Sequence, residues 1–158
     1  MQRIWIYQAD RFLNLEEQAK ILERLTDFTS QWRAHGKKLT ATAEIRYYLF
    51  IILMVDDAIE VPSGCSIDKS VYLLKDFEVE LGVGFFNRLT IAYRASSESP
   101  IQLATTTEFQ ELIRLGKINE NSLVFNNLVP SYTDLAERWE VPLNQSWHAK
   151  VFNRYGIS

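Results

Sequence analysis

Phe50-Ile51-Ile52-Leu53-Met54-Val55-Asp56-Asp57 is the stretch on which the reading of this chain turns. From Leu49 to Val55 every residue is apolar, with no polar alternation. A run this short and this uniform reads as a central strand buried on both faces. It ends in two carboxylates. Ala58 to Gly64 then form a loop that delivers Cys65-Ser66-Ile67-Asp68-Lys69-Ser70 to the start of a helix. A buried strand, a turn with a glycine and a polar helix N-terminus are parts from which a ligand site can be built.

Upstream, Arg3 to Tyr7 alternates isoleucine with aromatic residues, the pattern of a strand. Asn14 followed by Glu17 is a capping box that opens a helix. Leu15, Ala19, Leu22, Leu25, Phe28 and Trp32 recur at helical spacing and mark its buried face, with Gly36 as the expected stop. Leu39, Ala41, Ala43 and Ile45 alternate with polar residues, as in a strand with one wet face, before a bend near Arg46-Tyr47-Tyr48.

Downstream, Ile67, Val71, Leu74, Phe77 and Leu81 form a second helical stripe, ended by Gly82, and Phe85 to Arg94 reads as another strand. The order β-α-β-β-α-β predicts an α+β fold of the ferredoxin-like kind, an antiparallel sheet with its helices on one face. Ala95-Ser96-Ser97-Glu98-Ser99-Pro100 is linker-like. Beyond it the pattern predicts a strand at Ile101–Leu103, a helix capped by Thr105 and Glu108 and stopped by Gly116, a strand at Leu123–Phe125 and a helix from Tyr132 to Trp139. The expectation is a single domain over 1–158, subdivided into a core of 1–94 and a C-terminal part of 95–158.

The 158 residues are 47% hydrophobic and 23% charged, average for a globular chain with a sizeable core. A formal charge of −3 argues against broad binding to nucleic acid or to an anionic membrane. No apolar run approaches the ~20 residues a membrane-spanning helix needs. Cys65 is the only cysteine, so no internal disulfide forms, and with no leader-like N-terminus the expected location is the cytoplasm.

Three chemistries are weighed at the helix start. Gly64 to Ser70 imitates a phosphate loop, but Lys69 comes one residue early and Asp68 stands where that loop needs its second glycine. Nucleotide hydrolysis is therefore not expected. The free N–H groups of Ser63, Gly64 and Ser66, with Lys69 and Asp68 beside them and Asp56 at the strand end, can still hold a small anionic ligand. An ordinary capped helix, with Ser63 or Ser66 as cap, is the plainer reading. The second chemistry is a thiol nucleophile: Cys65 activated by the helix dipole, with His148 of Ser146-Trp147-His148 as base and Asp56 or Asp57 to orient it. Against it, a lone cysteine is more often a small packing residue. The third is a metal centre, for which one cysteine and two separated histidines offer no familiar spacing, so neither metal nor cofactor is expected.

Two resemblances add to this. Ile4-Trp5-Ile6-Tyr7-Gln8, Phe50 to Asp56, Ser63 to Ser70, Val124-Phe125-Asn126-Asn127-Leu128-Val129 and Ser146-Trp147-His148 resemble a family of bacterial proteins of about 150–160 residues catalogued as "ABC transporter ATPase". The label implies ATP hydrolysis, yet this sequence has neither a complete phosphate loop nor a Leu-Ser-Gly-Gly-Gln signature, and the resemblance implies no catalytic residue. Tyr93 to Phe125, through Ser99-Pro100, Phe109, Leu112-Ile113, Gly116-Lys117-Ile118 and Ser122-Leu123-Val124-Phe125, is similar to GYF-like adaptor modules. That similarity implies protein contacts or recognition of proline-rich peptides, although the Gly-Tyr-Phe tripeptide itself is absent. The sequence thus leads first to a ligand- or partner-binding protein with its site at Ser63–Lys69. Its alternatives are a cysteine-dependent enzyme using Cys65 and His148, and a protein-interaction module in 95–158.

Overall fold

The structure is a computed structural model that describes residues 1–153, 156 and 157. It is an α+β fold in which every strand pairing is antiparallel. The chain forms two compact units, Met1–Phe86 with Leu128–Asp134, and Asn87–Asn127 with Leu135–Ser158. Among the described residues, no helix is long and apolar enough to cross a membrane.

The first unit runs β1 (Gln2–Gln8), α1 (Leu15–Gln31), the short strands β2 (Arg33–Ala34) and β3 (Lys37–Lys38), β4 (Ala41–Arg46), β5 (Phe50–Asp56) and α2 (Gly64–Leu81). The quoted apolar stretch is the centre of its sheet, in the order β1-β5-β4. Phe50 to Leu53 and Val55 are at most 1% exposed, which is why no polar alternation is tolerated there. The register sets Trp5 and Ala43 opposite Leu53, and Ala41 opposite Val55. That face receives the helices: Trp5, Ala41 and Val55 pack with Phe28 and Trp32.

Both helices are capped as their sequences require. Asn14 and Glu17 close a full capping box on α1, and Gly82, at φ +63°, ends α2 in the left-handed conformation that glycine adopts without strain. The stop of α1 differs from expectation. The helix ends at Gln31, because Trp32 leaves it with extended backbone to bury its indole and donate Nε1–H to the Ser66 carbonyl at 2.8 Å. His35 and Gly36, both at positive φ, then make the tight turn between β2 and β3. The buried face of α1 is Ile21, Leu25 and Thr29, and Leu15, expected inside, is 75% exposed.

The ferredoxin-like expectation sets the last strand of the series beside β1. Here the first three strands take that arrangement, but Thr90–Arg94 joins a second sheet. The outer edge of β1 is met by residues 128–134: Ile4 N–H donates to the Pro130 carbonyl at 3.1 Å, and Arg3 bridges Ser131. The division between units accordingly falls at 86/87, not at 94/95.

The second unit contains β6 (Thr90–Arg94), β7 (Gln102–Thr105), α3 (Thr106–Arg114), β8 (Leu123–Phe125), β9 (Glu140–Pro142), a 3-10 turn (Leu143–Gln145) and the short α5 (His148–Phe152); α4 (Tyr132–Arg138) leads into it from the first. Its sheet order is β7-β6-β8-β9. Thr105 and Glu108 form the predicted capping box on α3, and Gly116 follows its end at φ +73°. Ile91, Phe109, Ile113, Val124, Leu143 and Phe152 make the core. Beside it Arg94 donates from Nε to Glu140 Oε2 at 2.6 Å, and Nη2 bonds the other carboxylate oxygen, a partly buried bidentate pair linking β6 to β9.

Candidate functional site

The α2 start was the first place sequence reasoning pointed, and its hydroxyls are already committed. Ser63 Oγ accepts from Ser66 N–H at 3.1 Å, while Ser66 Oγ accepts from Ser63 N–H and donates to the Ser63 carbonyl, each at 2.7 Å. Ser66 is buried and its carbonyl holds the Trp32 indole. Two serines three residues apart thus cap the helix reciprocally, the plainer of the two readings. Gly64, Cys65, Asp68 and Lys69 are exposed. Asp56 Oδ1 accepts from Ala58 N–H at 3.1 Å, turning the chain at the strand end, and Asp57 accepts from the Met1 amine at 2.7 Å.

Cys65 belongs to the first unit and His148 to the second. His148 is 4% exposed, its Nδ1 is 2.6 Å from Ser146 Oγ, and Trp147 stacks on its ring at 3.8 Å between centroids. Burial pushes its pKa down to about 4, so the imidazole is neutral at ordinary pH. The environment is that of a packed core histidine, with one ring nitrogen committed to a neighbouring hydroxyl. Among the described residues, no group of three or more His, Cys, Asp or Glu side chains is placed to hold a metal ion.

A groove in the second unit has the concavity of a binding site. It encloses about 370 Å³ and is lined by Tyr93, Pro100, Gln102, Leu112, Lys117 and Ile118, with Arg94, Ala95, Ser99 and Ser122 completing it. That volume lies in the range of small-ligand and peptide side-chain pockets. Three segments build it. The register of β6 with β7 sets Tyr93 opposite Gln102, so both side chains share one sheet face. The turn between these strands brings Ser99 and Pro100, with Ser96 and Ser99 hydroxyls 2.8 Å apart. The end of α3 supplies Leu112, whose carbonyl accepts from both Lys117 and Ile118 N–H groups, fixing the turn that presents Lys117.

The polar groups here have defined roles. Tyr93 donates its hydroxyl proton to Gln102 Oε1 at 3.0 Å, and its ring meets Phe109 edge-on at 5.8 Å. Burial, helped by the charge of Glu108, raises the Tyr93 pKa, so the phenol stays protonated and donating. Ser122 Oγ accepts from Asn119 N–H at 3.0 Å. A second, more open cavity, of about 450 Å³, lies in the first unit among Gln2, Thr42, Glu44, Met54 and Tyr132, on the sheet face away from the helices.

Most of the groove falls on residues that the sequence reading sets in the expected adaptor-like segment: Tyr93, Ser99, Pro100, Leu112, Lys117, Ile118 and Ser122. Arg94, Ala95 and Gln102 are added by the fold. Gln102 carries no signal of its own, since its role comes from a cross-strand partner that only the register reveals. No family model, curated protein or solved structure matches the chain.

Proposed function

We propose that this chain is a partner-binding protein that works through the groove of its second unit, receiving an extended segment of another polypeptide. One observation carries the reading. Among the described residues, the groove is framed by residues 93–122 of one compact unit, the segment expected from sequence to resemble GYF-like adaptor modules. Its walls are an aromatic ring, a proline and two aliphatic side chains, with hydrogen-bonding groups between them, the composition that extended peptides meet in their receptors. At the α2 start, by contrast, the two serine hydroxyls serve the helix cap itself.

The test is a selection of random dodecapeptides displayed on phage against the full chain, with Gln102→Trp as the comparison. Gln102 is exposed, so the tryptophan fills the groove without disturbing the core. Peptides enriched on the natural chain and not retained by Gln102→Trp support the reading. Equal retention by both overturns it.

A further inference from the structure

The groove's hydrogen-bonding inventory says what kind of segment fits, and this inference rests on the reading just given. Gln102 Oε1 is occupied by the Tyr93 hydroxyl, so Gln102 presents the two N–H donors of its amide. Lys117 brings an exposed ammonium group, and among the described residues it makes no ion pair. Ser122 Oγ has accepted a hydrogen bond and retains its proton to donate. Among the described residues, no carboxylate lines the groove. Of the nearby acidic groups, Glu140 grips Arg94 with both oxygens and Glu108 accepts from Thr105 N–H in the α3 cap, while Glu98 is exposed in the turn beside Ser99, outside the lining. In a chain of formal charge −3, the groove thus offers donors beside two cationic side chains, Arg94 paired with Glu140 and Lys117 at the rim.

We infer that the groove takes an acidic extended segment, one that sets a Glu or Asp carboxylate against Lys117 and Gln102 and an adjacent aliphatic side chain among Tyr93, Leu112 and Ile118. A carboxylate supplies acceptors only, which matches a lining that supplies donors, and an ion pair with lysine at the rim adds charge selection. A lysine-bearing segment meets the same rim with like charge, and a glutamine-bearing one forgoes the charge-assisted bond. Specificity here comes as much from what Lys117 repels as from what it holds.

The test uses three fluorescein-labelled, terminally capped hexapeptides with Glu, Gln or Lys between two leucines, titrated by anisotropy with the full chain at 50 and 300 mM salt. The Glu peptide is expected to bind about tenfold more tightly than the Gln peptide, with the difference shrinking at high salt. Lys117→Glu is expected to invert the order so that the Lys peptide leads, while Lys117→Gln levels it. Both changes are at an exposed side chain, and unchanged far-UV circular dichroism confirms the fold. If the Glu and Gln peptides bind equally and both are lost in Gln102→Trp, the acidic specificity is overturned and the groove reading survives. If all three bind Gln102→Trp as well as the natural chain, the groove reading fails and takes this inference with it.

Discussion

Acidification offers a quantitative test of the second unit through His148. Burial holds this imidazole at a pKa of about 4 in the folded chain, against about 6.5 when unfolded. Above pH 6.5 it is neutral in both states and has no effect. Between pH 6.5 and 4 the unfolded chain takes up a proton that the folded chain refuses, so stability falls as pH falls, and below 4 the loss levels off. At about 1.4 kcal/mol per pH unit, the full gap is about 3.5 kcal/mol, of which about 2.5 is reached by pH 4.5. That is a large part of the ~5–15 kcal/mol that holds a typical domain. The window is selective. Glu17, whose carboxylate is held down to about 2 by the Arg11 guanidinium and then by Asn14 N–H, contributes stability that is lost only as pH falls below about 4.5. Urea unfolding followed from pH 7.5 to 4.5 should show the loss in the natural chain and a much flatter profile in His148→Asn, which keeps a polar atom near Ser146. The imidazole proton resonances of His148 should likewise not titrate above pH 5. Parallel stability curves for the two proteins, or a titration midpoint near 6.5, would refute the assignment of His148 as a buried neutral group.

Other consequences follow from particular contacts. Trp32→Phe removes the donor to the buried Ser66 carbonyl and should lower unfolding free energy by about 1–3 kcal/mol, measured by denaturant midpoint; an unchanged midpoint would mean that the bond does not tie the end of α1 to the start of α2. Tyr47 and Tyr48 sit at φ +56° and +57° in the three-residue connection 47–49 between β4 and β5, closed by Leu49 N–H on the Arg46 carbonyl at 3.1 Å, a conformation that bulky residues resist. Tyr48→Gly should therefore stabilise the chain by about 1 kcal/mol, and destabilisation would show that the exposed ring contributes more than its strain costs. Cys65 is exposed, and His148 is buried with Nδ1 at Ser146. Native Cys65 should alkylate fully with iodoacetamide at the same rate in His148→Asn, whereas a marked slowing would favour the thiol–imidazole pair.

Much of the first unit was legible because its signals are local. Seven consecutive apolar residues require a strand covered on both sides, and Asn14, Glu17 and Gly82 mark helix ends through backbone hydrogen bonds that their own side chains or conformations satisfy. Local signals failed where a distant partner decided the outcome. Gly36 looked like a helix stop, but Trp32 ended α1 earlier to reach Ser66 across the unit. Of the Phe85–Arg94 stretch expected as a strand, only Thr90–Arg94 is one, and its sheet is decided by pairing with β7 and β8, which periodicity does not report. The candidate site shows the same limit. Cys65 and the serines of the α2 start drew notice as rare or reactive residue types, whereas Gln102 and Arg94 are unremarkable until strand register sets them around one groove.

The proposed function is tested most directly by amide chemical-shift mapping of the full chain during titration with the capped Glu hexapeptide. Saturable shifts concentrated at Tyr93, Ser99, Gln102, Leu112, Lys117 and Ile118 are the predicted result. Shifts concentrated instead at Gly64, Cys65 and Lys69 would contradict it and return the site to the helix start.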